Sequence, residues 1–332
     1  MPMKKFINDP ANLTSELLEG LGMCFSNKIK IVNDKIVCRT NPKSEDKVAI
    51  LTLGGSGHEP ALSGFVGEGM LDASVVGDIF AAPGAPKVLE ALRMFNREAG
   101  IILVTLNHAG DRMSASKAIR DAGKEGIKVV EIVTCEDISA GIDCDPDDKR
   151  GLAGCVPLYK IIGAAAEQGK SIEEVVEIGE RFNKQMATLA VAMTGCTHPQ
   201  NGEPIAVLAD DEMEIGMGQH GEAGGGLSKI LTADETAERM VTELIKATGV
   251  KSGDCAMLLI NGTGATTLME MLIVYRKAGK ILADKGVSLT NGWAGEILTV
   301  QEMGGFQMIL CKLDADHKEL LSAKASTPYW TA

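Results

Sequence analysis

The sequence predicts an α/β protein with two domains, each built on a mainly parallel or mixed central sheet. Continuous apolar runs of strand length, such as residues 47–53 and 100–106, end in turns that contain glycine. Helical patterns alternate with these strands, which is typical of a mainly parallel sheet covered on both faces. At 332 residues the chain exceeds the usual size of one core. We therefore expect two domains, residues 1–183 and residues 184–332.

Helical spacing and strand-like runs define the elements of the first half. Leu13, Leu17, Leu18 and Leu21 have helical spacing, and Ser171 with Glu174 forms a capping box that opens a later helix. Helices are predicted at 9–23, 84–98, 114–122, 158–167 and 171–183. A hairpin is predicted at 29–37, and strands at 47–53, 73–76, 100–106 and 128–135. The acidic segment 138–149 is interpreted as a solvated loop, because it lacks EF-hand spacing.

The second half continues the alternation with longer loops. A capping box of Thr232 and Glu235 predicts a helix to about residue 248, and a glycine turn at 261–266 predicts a second helix through 278. Strands are predicted at 186–194, 205–209, 257–260, 286–290, 297–300 and 306–313. A strand that begins near residue 212 should end in a glycine-rich turn at 216–226.

Composition and charge exclude several classes of protein. The chain carries 33 basic and 45 acidic residues, a formal charge of −12, with no basic cluster, so nucleic acid is not an expected partner. No signal peptide or membrane span is predicted. The eight cysteines are scattered without a CxxC pair, which favours reduced thiols in a cytoplasmic protein over a disulfide framework or a zinc site. No metal site is predicted.

Three glycine-containing segments carry the candidate functional residues. They are GGSGHEP at 54–60, NHAGD at 107–111 and the turn around His220 and Glu222. The first two follow strands, where an open α/β sheet usually places its ligand. Glycine lets a small molecule approach His220, and Glu222 is close enough to fix the tautomer of the ring. This is a plausible environment for a nucleophile, although a hydrogen-bonded histidine in a surface turn fits the local pattern as well.

These segments together resemble the dihydroxyacetone kinase family, specifically its ketose-binding K subunit. The similarity extends over nearly the whole chain, including KKFINDP at the start, HEPALSGFVGEGML, KRGLAGCVPLYK, LADDEMEIG, NGTGAT and the final STPYW. The resemblance implies two α/β domains with the ketose site between them, in a homodimer. It also implies that His220 adds through a ring nitrogen to the ketone carbon and forms a hemiaminal. Only an electrophilic carbon can form this bond, so a ketone is selected over a polyol.

The resemblance assigns roles to the other candidate residues. Asp111 takes the proton from the hydroxyl that attacks phosphorus, and His58 forms hydrogen bonds near the reacting oxygens. Gly55 and Ser56 line the pocket, and Gly57 keeps it open. Glu222 and His108 are further candidates for substrate binding; His108, beside Asp111, contacts an extra hydroxyl or only shapes the pocket.

The phosphoryl donor is expected on another chain. No nucleotide motif occurs in this sequence, and the resemblance implies an L-type subunit that brings ADP or ATP with magnesium. The ultimate donor, ATP or phosphoenolpyruvate relayed through a phosphotransferase-system subunit, stays open. The family usually has glycine in place of Leu53 and Lys-Asn-Tyr in place of Leu106-Asn107-His108. A kinase subunit for another short ketose, such as erythrulose, and a non-catalytic co-activator that senses ketose are therefore alternatives.

Overall fold

The computed structural model describes residues 4–332 as an α/β protein, which confirms the predicted fold class. The helices are α1 (Leu13–Cys24), α2 (Ala85–Met94), α3 (Ala109–Lys124), α4 (Cys155–Glu167), α5 (Ile172–Asn183), α6 (Ala233–Thr248), α7 (Leu268–Asp284) and α8 (Ala315–Ser322). Both predicted capping boxes are formed, at the starts of α5 and α6, and a third opens α7. No helix within residues 4–332 is long and apolar enough to cross a membrane.

The strands form two large sheets. The strands of the first half are β1 (Ile29–Val32), β2 (Ile36–Arg39), β3 (Ala49–Ser56), β4 (Ala73–Ile79), β5 (Ile101–Leu106) and β6 (Val129–Thr134). Those of the second half are β7 (Met186–Ala192), β8 (Cys196–Thr197), β9 (Pro204–Ile205), β10 (Glu212–Ile215), β11 (Leu227–Lys229), β12 (Cys255–Gly262), β13 (Ser288–Leu289), β14 (Trp293–Gly295) and β15 (Gly305–Leu313). The chain passes from one sheet to the other through α5.

The two sheets differ in strand direction. The first has the order β1-β2-β4-β3-β5-β6, and its four strands β4, β3, β5 and β6 run parallel. The second has the order β11-β10-β7-β15-β12-β13, and its long strands β7, β15 and β12 pair antiparallel. Short parallel pairings of β13 and β14 with β12 make it mixed. Helix α2 makes the crossover from β4 to β5, and α3 makes that from β5 to β6, as parallel strands usually need; β3 and β4 are joined by a loop with one 3-10 turn.

The layers alternate between helices and sheets. Apolar residues of α2 and α3 cover the outer face of the first sheet, and those of α6 and α7 cover the outer face of the second. Helices α4, α5 and α8 pack between the sheets in one continuous core. Helix α4 is buried along its length, and its Lys160 donates a hydrogen bond to the carbonyl oxygen of Leu320 in α8. After α8 the chain returns to the first half, where Tyr329 N donates to the oxygen of Gly64.

Five local predictions were wrong or incomplete. Of the strand predicted at 205–209, only the pair Pro204–Ile205 forms, as β9. Strand β3 continues through Gly54 and Gly55 instead of ending before them, and α3 begins at Ala109, so Asp111 lies in its first turn. Helix α8 was not predicted. Residues 297–300 form no strand, because the backbone N–H groups of Ile297 and Leu298 both donate to the buried side-chain oxygen of Asn261. A side-chain acceptor thus replaces the neighbouring strand.

Candidate active site

A small cavity lies at the carboxyl edge of the first sheet, where the loop between β10 and β11 covers it. Its volume is about 230 Å³. An apolar cavity of about 150 Å³ can hold benzene, so this one is large enough for a small polar metabolite. The polar side chains that line it are His58, His108, Asp111, Gln219, His220 and Glu222, and the apolar ones include Leu53, Leu62, Phe80, Leu106 and Leu298.

His58 follows strand β3 and is held in one tautomer. Its Nδ1 lies 2.8 Å from the carbonyl oxygen of Thr299, which can only accept, so Nδ1 carries the proton. The Nε2 atom of the neutral ring is then an acceptor. Burial, with a further contribution from the charge of His220, lowers the pKa of His58 to about 3. His58 is therefore a neutral base with its lone pair directed at His220.

His220 lies in the turn between β10 and β11 and is held by Glu222. Its Nδ1 is 3.1 Å from Oε1 of Glu222, its backbone N–H donates to Oε2, and its Nε2 is 3.2 Å from Nε2 of His58. Although partial burial acts in the opposite direction, the hydrogen bond from His220 and the charge of the ring hold the pKa of the Glu222 carboxyl well below its usual range. Glu222 is thus an ionised acceptor that fixes Nδ1–H and leaves Nε2 to face the cavity.

Asp111 supplies a carboxylate of unusual basicity. It lies in the first turn of α3, is 9% exposed, and its Oδ1 has no hydrogen-bond partner within residues 4–332. Burial raises the pKa of Asp111 to about 7, against a smaller lowering by the charge of His220. A buried, unpartnered carboxylate that exchanges its proton near neutrality is suited to act as a general base.

His108 and Gln219 form the wall beside His220. Nε2 of His108 is 2.9 Å from the carbonyl oxygen of Gly151 and also 2.9 Å from the side-chain amide of Gln219. One ring nitrogen cannot donate to a carbonyl and accept from an NH₂ group at once, so the amide oxygen of Gln219 is best oriented toward the ring. Burial, with a contribution from His220, lowers the pKa of His108 to about 4. The ring is neutral, and Nδ1 carries the lone pair.

Arg150 joins the first half of the chain to the His220 turn, and sequence reasoning missed this role. Its Nε donates to Asp137 at 2.7 Å, one terminal nitrogen donates to the carbonyl oxygen of Gly216 at 2.5 Å, and the other lies 3.4 Å from that of Glu222. Asp137 is buried and also accepts from the backbone and hydroxyl of Ser139. No local pattern marks Arg150, because its partners lie far away along the sequence. The same holds for Thr299.

The glycines of the turn allow two backbone segments to touch. A Cβ atom on Gly224 would lie 1.7 Å from the carbonyl oxygen of Gly216, and Gly216 has a φ of +91°. The Glu214 side chain accepts a hydrogen bond from the N–H of Gly224 at 2.8 Å and so holds Gly224 against Gly216. The glycine run thus serves close packing of the turn rather than an open loop.

The structure brings six of the eight predicted site residues to one cavity. Gly55, His58, His108, Asp111, His220 and Glu222 line it. Ser56 and Gly57 do not. The hydroxyl of Ser56 donates to the oxygen of Gly77 and lines a neighbouring groove of about 330 Å³, whereas Gly57 packs against the ring of Phe80. The pairing of β3 with β4 shifts register between Gly55 and Ser56, the point at which the strand leaves the cavity.

One group of side chains in this cavity has the composition of a metal site. Each of His108, His220 and Glu222 offers one ligand atom, and these three atoms lie within 4.8 Å of one another. Among residues 4–332 this is the one such group of three or more histidine, cysteine or acidic residues.

The fold and the cavity define an α/β protein with a cavity of small-molecule size, lined by groups suited to nucleophilic and acid–base chemistry. Residues 19–329 match the model of the Dak1 domain, and the chain belongs to this family. It is 36% identical over 330 residues to the dihydroxyacetone-binding subunit of a PTS-dependent dihydroxyacetone kinase of Listeria innocua, covering 99% of this chain and 100% of that protein. The predicted family is thereby confirmed.

Two further relatives differ in what their names describe. The L-erythrulose kinase of Pectobacterium atrosepticum is 33% identical over 330 residues, which cover 98% of this chain and 56% of that protein. A solved structure of a dihydroxyacetone kinase operon co-activator superimposes with a TM-score of 0.90 at 31% identity, covering 96% of this chain and 98% of the other. Relatives of similar distance thus include both kinases and a regulator.

Proposed function

We propose that this chain is the ketose-binding subunit of a dihydroxyacetone-type kinase. The observation that carries the proposal is the presence, on one small cavity, of a histidine with a carboxylate-fixed tautomer and a buried carboxylate of near-neutral pKa. The first is what carbonyl capture requires, and the second is what activation of a hydroxyl requires. The kinase names of the relatives support the same reading.

In the proposed capture step, the Nε2 lone pair of His220 attacks the ketone carbon and forms an N–C bond. The proton shared by the two Nε2 atoms has first passed to His58, and as the carbonyl π electrons move to oxygen, the protonated His58 gives that proton to the oxygen. The ring becomes a substituted imidazolium whose Nδ1–H still donates a hydrogen bond to Glu222. The negative carboxylate therefore balances the new charge on the ring. The substrate is then held as a hemiaminal, with its terminal hydroxyl free for phosphorylation.

In the proposed transfer step, Asp111 takes the proton of that hydroxyl as its oxygen attacks the phosphorus atom. The donor is ADP- or ATP-linked phosphate, with magnesium, on a separate L-type subunit; a phosphotransferase-system subunit that relays phosphoenolpyruvate is the alternative source. Phosphoryl transfer needs positioning and charge stabilisation more than covalent chemistry from the protein, which suits a subunit that holds the ketose and supplies one base. A homodimer and a cytoplasmic location belong to the same proposal.

The decisive experiment separates capture from transfer. Crystals of wild type and of Asp111→Asn, soaked in dihydroxyacetone, should both show continuous density from the ring of His220 to a ketose carbon. Phosphorylation by an added L-type subunit should be lost only in the variant. Full activity of Asp111→Asn, or an unmodified His220 with every ketose tried, would overturn the proposal.

The identity of the ketose depends on two side chains of the cavity wall, Leu106 and His108. Both line the cavity, and the neutral ring of His108 has an acceptor lone pair on Nδ1, because Nε2 donates to Gly151. A four-carbon ketose such as erythrulose carries the extra hydroxyl. His108→Phe should then lower kcat/KM for erythrulose about tenfold more than for dihydroxyacetone, because a lost hydrogen bond to a buried partner costs about 1–2 kcal/mol. Equal losses would assign His108 to packing alone.

A second candidate is a ketose-sensing co-activator, which the structural likeness to such a protein favours. A sensor needs His220 to capture the carbonyl but gains nothing from a general base. Burial destabilises the ionised form of Asp111 and makes this carboxylate a stronger base, which favours the kinase. Turnover of dihydroxyacetone or erythrulose with L-type subunits supports the kinase; capture without turnover, together with retention of a transcription factor on the immobilised chain, supports the co-activator.

A further inference from the structure

Three imidazoles, those of His58, His108 and His220, lie around the cavity. His58 donates Nδ1–H to the carbonyl of Thr299 and His108 donates Nε2–H to that of Gly151, which leaves one lone pair on each ring. Histidines that bind metals almost always donate their second ring N–H to a carbonyl or carboxylate in this way. The ring of His220 lies between them, with centroids 5.2 Å from that of His58 and 5.1 Å from that of His108.

A carboxylate completes the set. Ligand atoms of His108, His220 and Glu222 are within 4.8 Å of one another. Two ligands of a tetrahedral ion with bonds of about 2.0–2.1 Å lie about 3.3 Å apart, so the three atoms must close slightly around the ion. Glu222 can make this movement, because its side chain is 41% exposed and it lies in a glycine-rich turn.

We propose that His108, His220 and Glu222 form a binding site for Zn²⁺ that competes with the ketose. Two nitrogens and one carboxylate oxygen are the ligand set of a zinc site with an open position, and water would fill the fourth place, next to the free lone pair of His58. Magnesium prefers oxygen ligands in octahedral geometry, so the site discriminates against it.

Zinc at this site blocks the nucleophile. Coordination uses a ring nitrogen of His220, and the proton that His220 and His58 share is released to solvent. A ketone cannot add to a ring whose lone pair is held by the metal. Zinc binding is a property of the three side chains alone, so it stands or falls separately from the proposal that the chain captures ketoses.

Isothermal titration of the full-length, EDTA-treated protein with ZnCl₂ tests the site. Wild type should bind one Zn²⁺ per chain with a micromolar or lower Kd and release about one proton, whereas MgCl₂ should give no heat. His108→Phe and Glu222→Gln should each weaken zinc binding at least tenfold. His198→Gln removes a histidine outside the trio and is the matched control; its affinity should equal that of wild type.

A second measurement covers variants that fail to fold. A zinc-soaked wild-type crystal should show an anomalous peak between His108, His220 and Glu222 at the zinc absorption edge, and dihydroxyacetone should reduce its occupancy. Equal zinc affinity in wild type and a folded His108→Phe would overturn the proposal, because the ion would then sit elsewhere, for example on Cys24 or Cys144. The absence of an anomalous peak in the cavity would overturn it as well.

Discussion

Nε2 of His58 and Nε2 of His220 lie 3.2 Å apart, and between them they must share one proton. The other nitrogen of each ring carries its own hydrogen, directed at Thr299 and Glu222 respectively. If both rings were neutral, two lone pairs would face each other. The contact is therefore favourable when His220 is an imidazolium that donates to His58, with Glu222 as its counter-ion. Before His220 can act as a nucleophile, that proton must move to His58 or to the ligand.

This relationship makes the charge of Glu222 essential. In Glu222→Gln, an amide still reaches the ring but no longer balances the imidazolium. A charge-assisted hydrogen bond is worth about 1–1.5 kcal/mol more than a neutral one, so the concentration of ketose that half-saturates His220 should rise about 5–10-fold. Adduct occupancy in crystals soaked at graded ketose concentrations measures it. Glu203→Gln, at an exposed loop position, should behave like wild type; equal occupancy in both variants would contradict the role of Glu222.

The pKa of Asp111 predicts the pH dependence of phosphorylation. Only the ionised carboxylate can accept the proton of the substrate hydroxyl, and burial raises the pKa of Asp111 to about 7. The single-turnover rate should therefore fall about tenfold per pH unit below 7 and level off above it. Asp111→Asn should lower the plateau about 10²–10⁴-fold and abolish this limb. A wild-type rate that is flat between pH 5 and 8 would exclude Asp111 as the base.

The same carboxylate should destabilise the fold at high pH. Because the pKa of Asp111 is raised, the folded state binds a proton that the unfolded state has lost, and stability falls as pH rises from about 4 to about 7. Asp111→Asn removes this cost and should raise the free energy of unfolding by about 2–4 kcal/mol at pH 8, with a smaller gain at pH 5. Denaturant unfolding at both values measures the difference. A variant less stable than wild type at pH 8 would show that Asp111 is not under electrostatic strain.

The sequence predicted the elements best where local pattern and tertiary environment agree. The apolar runs of β5 and β15 read as strands because both of their faces are buried. Helix α8 was missed because its few apolar residues make sense only against α4. The segment around Leu298 is as apolar as a strand, but a single side chain, Asn261, takes its backbone hydrogen bonds.

The site shows the same limit. Its reactive residues could be found because each lies in a glycine-containing segment, and the parallel topology of the first sheet brings two of these segments to one edge. The residues that hold these reactive side chains in place could not be predicted. Thr299 contacts a residue 241 positions away, and Arg150 contacts residues 66 and 72 positions away, so no local pattern marks either of them. Ser56 was expected to line the cavity because the glycines at 54 and 55 were interpreted as a turn. In the structure β3 continues through them, and Ser56 points away from the cavity.

Arg150 should hold the His220 turn against the first half of the chain. Arg150→Gln leaves Asp137 buried without its cation, and such a loss costs about 2–4 kcal/mol of stability. Asp137→Asn combined with Arg150→Gln removes the orphaned charge and should recover part of that loss. Arg93→Gln, which breaks an exposed pair with Glu125, should cost less than about 1 kcal/mol. Additive effects of the Asp137 and Arg150 substitutions would contradict the coupling.

Gly224 should be required for capture of the ketose although it touches no part of the cavity. An alanine methyl group at this position would lie 1.7 Å from the carbonyl oxygen of Gly216, so the turn that carries His220 must open. Gly224→Ala should therefore lose ketose capture at His220, with adduct density as the readout. The thermal midpoint should change little, because the turn is exposed and contributes little to the core.

The matched control for Gly224→Ala is Gly123→Ala, on an open face of α3. A Cβ there meets nothing within 4 Å, and alanine should stabilise the helix by about 0.5–1 kcal/mol without changing capture. If Gly224→Ala captured ketose as wild type does, the crossing at Gly216 would not position His220. If Gly224→Ala instead loses ketose capture while its thermal midpoint is unchanged, the glycine run is needed to position the ring of His220 and not to stabilise the fold.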